Sequence, residues 1–275
     1  GELDMGSATT LRDFVNWAQT NYPADHYLVD LWNHGSGWRP VTRAAQGNRG
    51  INYDDTSGTF LATHDMDNAL TVNEPLDIVA MDASLMQMAE VVYQMRNVCD
   101  YVVGSEESPP GEGYPYNLIF ANLVAHPDIA ASQLCRDIVS NYVGDVGDRS
   151  SVTQSAFECA RLETLAGALN NYAQTLVSRD SLYHDQIALA RNDSQRYGSG
   201  SSLYEGNRDL IDFIDSVYAR TGDATLQAAG NAVKTALSAA MLQEGHTGTD
   251  LADSHGLAIF LPGSGDWASL RSSYR

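Results

Sequence analysis

Two short apolar runs, each followed by a polar tripeptide, constrain the fold of this chain most strongly. Residues 27–32 (YLVDLW) lead into NHG, and residues 76–81 (LDIVAM) lead into DAS. Apolar runs of this length are typical of strands buried on both faces, as in parallel sheets. Residues 85–95 have helical spacing, and residues 101–104 (YVVG) predict a third strand. This alternation predicts an α/β fold with a mostly parallel sheet of about six strands.

The second half of the chain is dominated by helical spacing. The predicted helices there are residues 116–125, 129–142, 159–177 and 210–219. Residues 257–261 (LAIFL), stopped by Pro262, predict one late strand. We therefore expect residues 1–150 to form a catalytic core and residues 151–275 to form a helical C-terminal part that returns a late strand to that core.

The composition disfavours several classes of partner. The chain carries 16 Lys and Arg against 35 Asp and Glu, a formal net charge of -19, which repels phosphate backbones and anionic lipids. We therefore expect no nucleic-acid partner and no membrane, and no apolar run approaches the roughly 20 residues of a membrane-spanning helix. Cys99, Cys135 and Cys159 lack C-x-x-C spacing, which predicts buried thiols rather than a disulfide framework or a zinc site.

His34 and Ser84 directly follow the two apolar runs. Functional groups in open α/β sheets gather beyond the carboxyl ends of the strands, so we expect these two side chains to meet there. Gly35 permits a close backbone approach, and the turn at Ser84 is expected to offer a second amide at a helix N-terminus for an oxyanion. From these residues alone, a purely structural role stays open, because histidine is common in turns and serine is common as a helix N-cap.

Four segments together resemble the clostripain family of cysteine peptidases. The opening segment, which ends in LWNHGSGW, is similar to the block that carries the family's His-Gly pair. DIVAMDASLMQMAEVVYQM resembles the nucleophile block, which usually reads Asp-Ala-Cys-Leu-Met. VVGSEESPPGEGYPY is similar to the next strand and loop, and SHGLAIFLP is similar to the final strand. All four occur in the family's order, which makes the resemblance specific.

This resemblance implies a caspase-like α/β/α sandwich, shared with gingipains, legumains and separases. It also implies an endopeptidase whose partner is a peptide or protein substrate with arginine or lysine at P1. By position, His34 is expected to be the catalytic histidine, and Ser84 is expected to stand where the nucleophilic cysteine belongs. The backbone amides of Gly35 and Ser84 are expected to form the oxyanion hole.

The resemblance also implies a substrate pocket. Asp82 matches the acidic residue that holds the basic P1 side chain, a role that suits the pairing of carboxylate with guanidinium. Ser105 and Glu106 stand at the end of the next predicted strand and are expected to line the same pocket. Glu112 is a weaker candidate for that pocket.

Serine at position 84 departs from the family pattern. A serine hydroxyl is far less ionised than a thiol, so serine in a site built for a thiolate is expected to abolish turnover. We favour an inactivating Cys-to-Ser substitution over a natural pseudo-protease that binds peptides or proteins. A true serine hydrolase is disfavoured because G-x-S-x-G is absent around Ser84. The family's opening strands are also unrecognisable, which predicts a fragment or the larger chain of a processed enzyme.

The segment after the His-Gly pair suggests processing. Residues 39–58 are polar and glycine-bearing, which predicts an exposed loop. Clostripain-family enzymes are often self-cleaved in this interval, so Arg43 and Arg49 are candidate activation sites. No cofactor is expected. Calcium stays open, since some relatives respond to it and the chain is acidic, although no D-x-[DN]-x-[DN]-G loop is present.

Overall fold

The structure is a computed structural model that describes residues 1–38, 50–198 and 201–263. The strands are β1 (Leu28–Trp32), β2 (Ile51–Asp54), β3 (Thr59–Leu61), β4 (Leu76–Asp82), β5 (Cys99–Gly104), β6 (Thr153–Glu158), β7 (Asn207–Asp209), β8 (Met241–His246) and β9 (Ala258–Phe260). The helices are α1 (Ala8–Asn21), α2 (Met66–Ala69), α3 (Ala89–Gln94), α4 (Tyr116–Ala125), α5 (Ala131–Val146), α6 (Leu162–Asp193), α7 (Leu210–Thr221) and α8 (Ala224–Ala240).

A five-stranded sheet in the order β1-β4-β5-β6-β8 forms the middle of the molecule. Strands β1, β4 and β5 are parallel neighbours, whereas β6 runs antiparallel to both β5 and β8. Because β8 therefore points the same way as β5, four of the five strands share one direction. The predicted α/β fold with a mostly parallel sheet is confirmed, with five central strands in the described part of the chain.

Strand β4 shows why the apolar runs form strands. Ile78 and Ala80 belong to a core cluster that includes residues of α4 and α5. Val79 and Met81 belong to a second cluster that includes residues of α1, α3, α6, α7 and α8. Alternate side chains of one strand thus enter the cores on opposite faces of the sheet, which requires an apolar residue at nearly every position. This arrangement is the α/β/α sandwich.

The second half of the chain contributes more to the sheet than the sequence predicted. Strands β6 and β8 both come from beyond residue 150, so residues 1–150 and 151–275 share one sheet. The predicted late strand at residues 257–261 exists as β9, but it pairs with β7 in a separate two-stranded sheet. It approaches the segment after Ser84 through one parallel bridge between Met88 and Ala258. The late strand of the central sheet is therefore β8.

The helix after Ser84 and the loop after the His-Gly pair differ from their predictions. Helix α3 begins at Ala89 rather than Leu85, because Leu85 adopts a left-handed backbone with φ of 64°. Within the predicted loop at residues 39–58, β2 forms with Ile51 fully buried, and it pairs antiparallel with β3, which follows the loop. Arg43 and Arg49 lie outside the described residues. No helix in the described ranges combines the length and apolarity that a membrane crossing requires.

Candidate active site at the carboxyl ends of two strands

The His-Gly loop packs directly on the turn that contains Ser84. Their strands are neighbours, with Trp32 of β1 in register with Asp82 of β4. A Cβ built on Gly35 would lie 2.5 Å from the carbonyl oxygen of Ser84 and 3.0 Å from Cβ of Ala83. Only glycine permits this approach, because any side chain there would collide with backbone. The structure thus brings together the two turns that the sequence singled out.

Backbone strain marks the same two turns. The described ranges contain three non-glycine residues with positive φ, namely Asn33, Asn52 and Leu85. Asn33, at 112°, precedes His34, and Leu85, at 64°, follows Ser84. A left-handed leucine is disfavoured by its side chain, so the surrounding contacts must hold it. Strained residues cluster at active sites, and here two of the three flank the candidate pair.

The side chains of His34 and Ser84 are accessible but not hydrogen-bonded to one another. His34 is exposed, with its ring 6.4 Å from the ring of Tyr53 and inclined to it by 67°. Ser84 is half-buried. Catalytic hydrogen bonds are often long without substrate and shorten in the complex, so this separation is compatible with a base and nucleophile pair.

The turn after Ser84 is fixed by its own amides. Leu85 N–H donates to the carbonyl of Glu107 at 3.2 Å, and Gln87 N–H donates to the carbonyl of Ser105 at 3.0 Å. Within the described ranges, the Ser84 amide has no acceptor. That amide does not stand at a helix N-terminus as predicted, because four residues separate Ser84 from Ala89, the start of α3. The turn itself, rather than a helix dipole, would present it to an oxyanion.

Asp82, at the end of β4, and Asp30, in the middle of β1, form a carboxylate cluster that we call the outer pair. Asp82 is only 3% exposed. Its Oδ2 accepts from Tyr114 N–H at 2.8 Å and from the Tyr116 hydroxyl at 3.1 Å. The same hydroxyl lies 2.6 Å from Oδ2 of Asp30. Burial raises the pKa of Asp82.

Asp30 has an unusual environment for a carboxylate on a strand. Burial raises the pKa of Asp30 to about 6, and the charge of Asp82 adds to the increase. The Tyr116 hydroxyl and the Asp82 amide lower it in part. The Oδ1 atoms of Asp30 and Asp82 are both buried without a hydrogen-bond partner among the described residues. Two carboxylates with unused acceptors therefore share one small space.

Ser105 and Glu106 have contacts on another side of the sheet end. The hydroxyls of Ser105 and Thr153 are 3.1 Å apart, and Ser105 also donates to the carbonyl of Glu107 at 3.0 Å. The Glu106 carboxylate contacts the hydroxyl of Tyr197. Neither side chain shares a hydrogen-bond partner with Asp82, so no contact supports the pocket role that the resemblance implied for them. Glu112 is exposed in a turn.

Glu106 instead belongs to a second cluster, which we call the inner pair, Glu106 and Asp209. The Tyr197 hydroxyl lies 3.0 Å from a carboxylate oxygen of each. Asp209 also accepts from the amides of Ile211 and Asp212 at the start of α7. His255 contacts Asp209 through both its amide and Nδ1, at 2.7 and 3.0 Å. Every group here has a partner within the fold.

The cysteines do not offer a substitute nucleophile. Cys99, Cys135 and Cys159 are all buried, as predicted, and none is disulfide-bonded. The hydrogen bond with Cys99 raises the pKa of the Cys159 thiol, and burial raises that of Cys135, the opposite of what activates a thiol. Among the described residues, no three His, Cys, Asp or Glu side chains form a group that could hold a metal ion.

Sequence reasoning located the two turns but missed Asp30 and Tyr116. A signal for Asp30 was available, since an aspartate in the middle of the apolar run YLVDLW is out of place in a strand buried on both faces. Tyr116 offered no such signal, because its hydroxyl reaches Asp30 over 86 positions of sequence.

The α/β/α sandwich, with its mostly parallel central sheet, has the caspase-like fold. Among solved structures, the chain is similar to an inactive zymogen C11 protease from Parabacteroides distasonis, with a TM-score of 0.71 and 22% identity over 98% of this chain and 73% of that one. It is also similar to a secreted C11 cysteine protease from Bacteroides thetaiotaomicron in complex with an irreversible peptide inhibitor, with a TM-score of 0.73 and 24% identity over 98% and 75% of the two chains. At these identities, the likeness shows the fold.

Sequence comparison then gives the family. The model of the Clostripain family, Peptidase_C11, matches residues 1–269, so the chain belongs to the clostripain family. Clostripain of Hathewaya histolytica is 33% identical over 135 residues, a match that covers 45% of this chain and 26% of clostripain. The match thus spans a minor part of that relative's length.

Proposed function

We propose that this chain is the catalytic part of a cysteine endopeptidase that cleaves after arginine or lysine, with serine occupying the nucleophile position. The contact between the Gly35 backbone and the Ser84 turn carries the proposal. That contact holds a histidine beside the nucleophile position at the carboxyl ends of adjacent strands. Basic P1 specificity is supported by the buried carboxylate of Asp82 two residues before Ser84, and by the similarity to clostripain.

The proposed chemistry assigns one task to each group. A thiolate at position 84 would attack the carbonyl carbon of the scissile peptide bond, and His34 would donate a proton to the departing amine. The Ser84 amide would donate to the oxyanion, since it has no acceptor within the described ranges. With serine in place, the weakly ionised hydroxyl is a poor nucleophile in a site built for a thiolate. The chain should therefore bind substrates without cleaving them.

Replacement of Ser84 by cysteine tests the proposal. The Ser84→Cys form should hydrolyse fluorogenic peptides with arginine or lysine at P1 and leave a leucine peptide intact, whereas the serine form and a Ser84→Ala control should be inactive. Activity of the serine form would instead indicate a serine hydrolase.

A natural pseudo-protease is the second candidate, and Ser84 itself favours it. Such a protein would keep the peptide-binding surface and lack turnover. An inactive Ser84→Cys form that still binds arginine peptides would support this candidate over the first.

Self-processing belongs to the same proposal. Arg43 and Arg49 follow the His-Gly pair and precede β2, so cleavage there would cut the chain between His34, which follows β1, and β2. The Ser84→Cys form should split after one of these arginines, giving a new N-terminus at Ala44 or Gly50, and the serine form should purify intact. N-terminal sequencing of the larger product decides between the two positions, and an active but uncut cysteine form would exclude self-processing.

A further inference from the structure

We propose that Asp30 is a second determinant of P1 specificity, and that the two carboxylates of the outer pair together receive the cationic P1 side chain. This inference rests on the proposed function and adds a residue to its pocket. Asp30 lies on β1, four positions before His34, in the interior of an otherwise apolar strand.

Strand register places Asp30 on the same face as Asp82. Asp30 pairs with Ala80, and Trp32 pairs with Asp82, in the parallel ladder of β1 and β4. Side chains in register on adjacent strands point to one face, and so do side chains two residues apart. Both carboxylates therefore project toward the start of α4, where one Tyr116 hydroxyl reaches each of them.

The outer pair has fewer hydrogen-bond donors than acceptor atoms, and no positive charge faces it within the described ranges. One hydroxyl proton is shared by two carboxylates, and the Oδ1 atoms of Asp30 and Asp82 have no partner in the described part of the chain. No ion pair joins either aspartate to a His, Lys or Arg of that part. Buried carboxylates normally have such partners, so these two are arranged for a donor that arrives from outside.

Exposed side chains border the outer pair. Trp32 is 61% exposed and Tyr116 is 38% exposed, and Asp30 itself is half-buried. Gly113 has a φ of 69°, and a Cβ on it would lie 2.7 Å from Oδ2 of Asp82 and 3.3 Å from Nε1 of Trp32. A side chain at position 113 would therefore occupy the space beside the carboxylate that a substrate side chain needs.

A guanidinium or ammonium group supplies what the outer pair lacks. Arginine offers five N–H donors on a planar cation, and lysine offers three on a compact one. Either could donate to both unused oxygens while its positive charge offsets the repulsion between the two aspartates. Tyr116 would keep its position and donate to whichever Oδ2 the cation leaves free.

The test measures binding to the chain as it stands, with Ser84 present. Fluorescence anisotropy would follow two labelled peptides that differ only at P1, one with arginine and one with citrulline, which has the same shape without the charge. We expect Asp30→Asn to lower the arginine-to-citrulline affinity ratio roughly tenfold, and Asp82→Asn to lower it more, because each loses one charge-assisted contact. The matched control, Asp100→Asn on the exposed side of β5, should leave the ratio unchanged.

The possible outcomes of this binding experiment distinguish a failure of this inference from a failure of the proposed function. A ratio that falls only in Asp82→Asn would overturn the role of Asp30 and keep Asp82 in the pocket. A parent protein that does not prefer arginine would overturn the basic P1 specificity itself. Loss of the preference on adding EDTA would also overturn the inference, since a bound metal would then be the partner of the pair. Thermal unfolding checks folding, and Asp30→Ala should lower the ratio as Asp30→Asn does.

Discussion

Two carboxylate clusters in this molecule contain the same kinds of groups but differ in how completely those groups are hydrogen-bonded. In the outer pair, Asp30 and Asp82 share the hydroxyl of Tyr116. In the inner pair, Glu106 and Asp209 share the hydroxyl of Tyr197. Each cluster therefore has two carboxylates and one phenolic proton between them, a combination that is costly to bury without further partners.

In the inner pair, groups of the fold itself stabilise the buried carboxylates. Burial and the nearby charge of Asp209 raise the pKa of Glu106 well above its usual range, which favours the protonated form of this carboxyl. Protonated Glu106 can donate to Tyr197, and Tyr197 in turn donates to Asp209. The hydrogen bond with Asp209 raises the pKa of His255, which favours a positive charge beside that carboxylate.

The outer pair is left incomplete, and the difference indicates which cluster binds a ligand. Its Oδ1 atoms have no donor in the described ranges, and it lies beside the turns that carry His34 and Ser84. A complete buried network fixes a fold, whereas an incomplete one beside the proposed catalytic pair is suited to a substrate group. Burial and like charge alone would not have separated the two, since both clusters have them.

Substitution of His34 and of His255 should give the largest difference in catalytic activity. In the Ser84→Cys background, His34→Ala should lower kcat/KM for an arginine peptide by about a thousandfold, because it removes the general acid and base. His255→Ala should leave kcat/KM close to that of its parent, because His255 supports α7 through Asp209. Steady-state kinetics of the two variants measures both effects, and a large loss in His255→Ala alone would reverse the roles of the clusters.

The two tyrosines should differ in stability. Tyr197→Phe should lower the free energy of unfolding by about 1–3 kcal/mol, because it leaves buried carboxylates without their shared donor. Tyr116→Phe should cost only about 0.5 kcal/mol, because water can replace a hydroxyl on a partly exposed ring. Urea unfolding measures both, with Tyr218→Phe, also 38% exposed, as the control. Equal losses for Tyr116 and Tyr197 would remove the proposed difference between the clusters.

The outer pair should also make peptide binding depend on pH. Asp30, with its pKa raised to about 6, holds a proton below that pH and a negative charge above it. Affinity for an arginine peptide should therefore strengthen as pH rises from 5 to 7, by at most about tenfold per unit for one group. Asp82, whose pKa is also raised, faces Asp30, and the phenols of Tyr114, Tyr116 and Tyr142 have pKa values raised above their usual range.

The variant Asp30→Asn separates the contributions to this pH dependence. It should flatten the profile for the arginine peptide, and a citrulline peptide should show no such profile in the parent. An unchanged profile in Asp30→Asn would assign the dependence to Asp82.

The pattern of apolar residues along the sequence predicted some strands of the central sheet and missed others. Strands β1 and β4 are apolar on both faces, so their residues alone predicted them. Strand β6 begins with Thr153, Gln154 and Ser155, which are polar yet buried. Their partners lie far away in sequence, as when Ser155 donates to the carbonyl of Gly256 at 2.6 Å. Strand β8 follows α8 directly, with no glycine or proline between them, so the sequence did not mark where the helix ends and the strand begins.

The same limit applies to the candidate site. His34 and Ser84 follow predicted strands, so strand order alone indicated where they would meet. Glu106 also follows a strand, but its carboxylate contacts Tyr197, 91 positions away. Position at a strand end therefore predicts proximity to the site and not the direction of a side chain.

Substrate preference of the Ser84→Cys form tests the central claim most directly. The quantity is the ratio of kcat/KM for arginine over norleucine peptides, compared between Asp82→Asn and Glu106→Gln. Loss of a charge-assisted contact should lower this ratio by about 10- to 100-fold in Asp82→Asn. The ratio should be unchanged in Glu106→Gln, because that carboxylate belongs to the inner pair. A ratio that falls in Glu106→Gln and holds in Asp82→Asn would contradict the account.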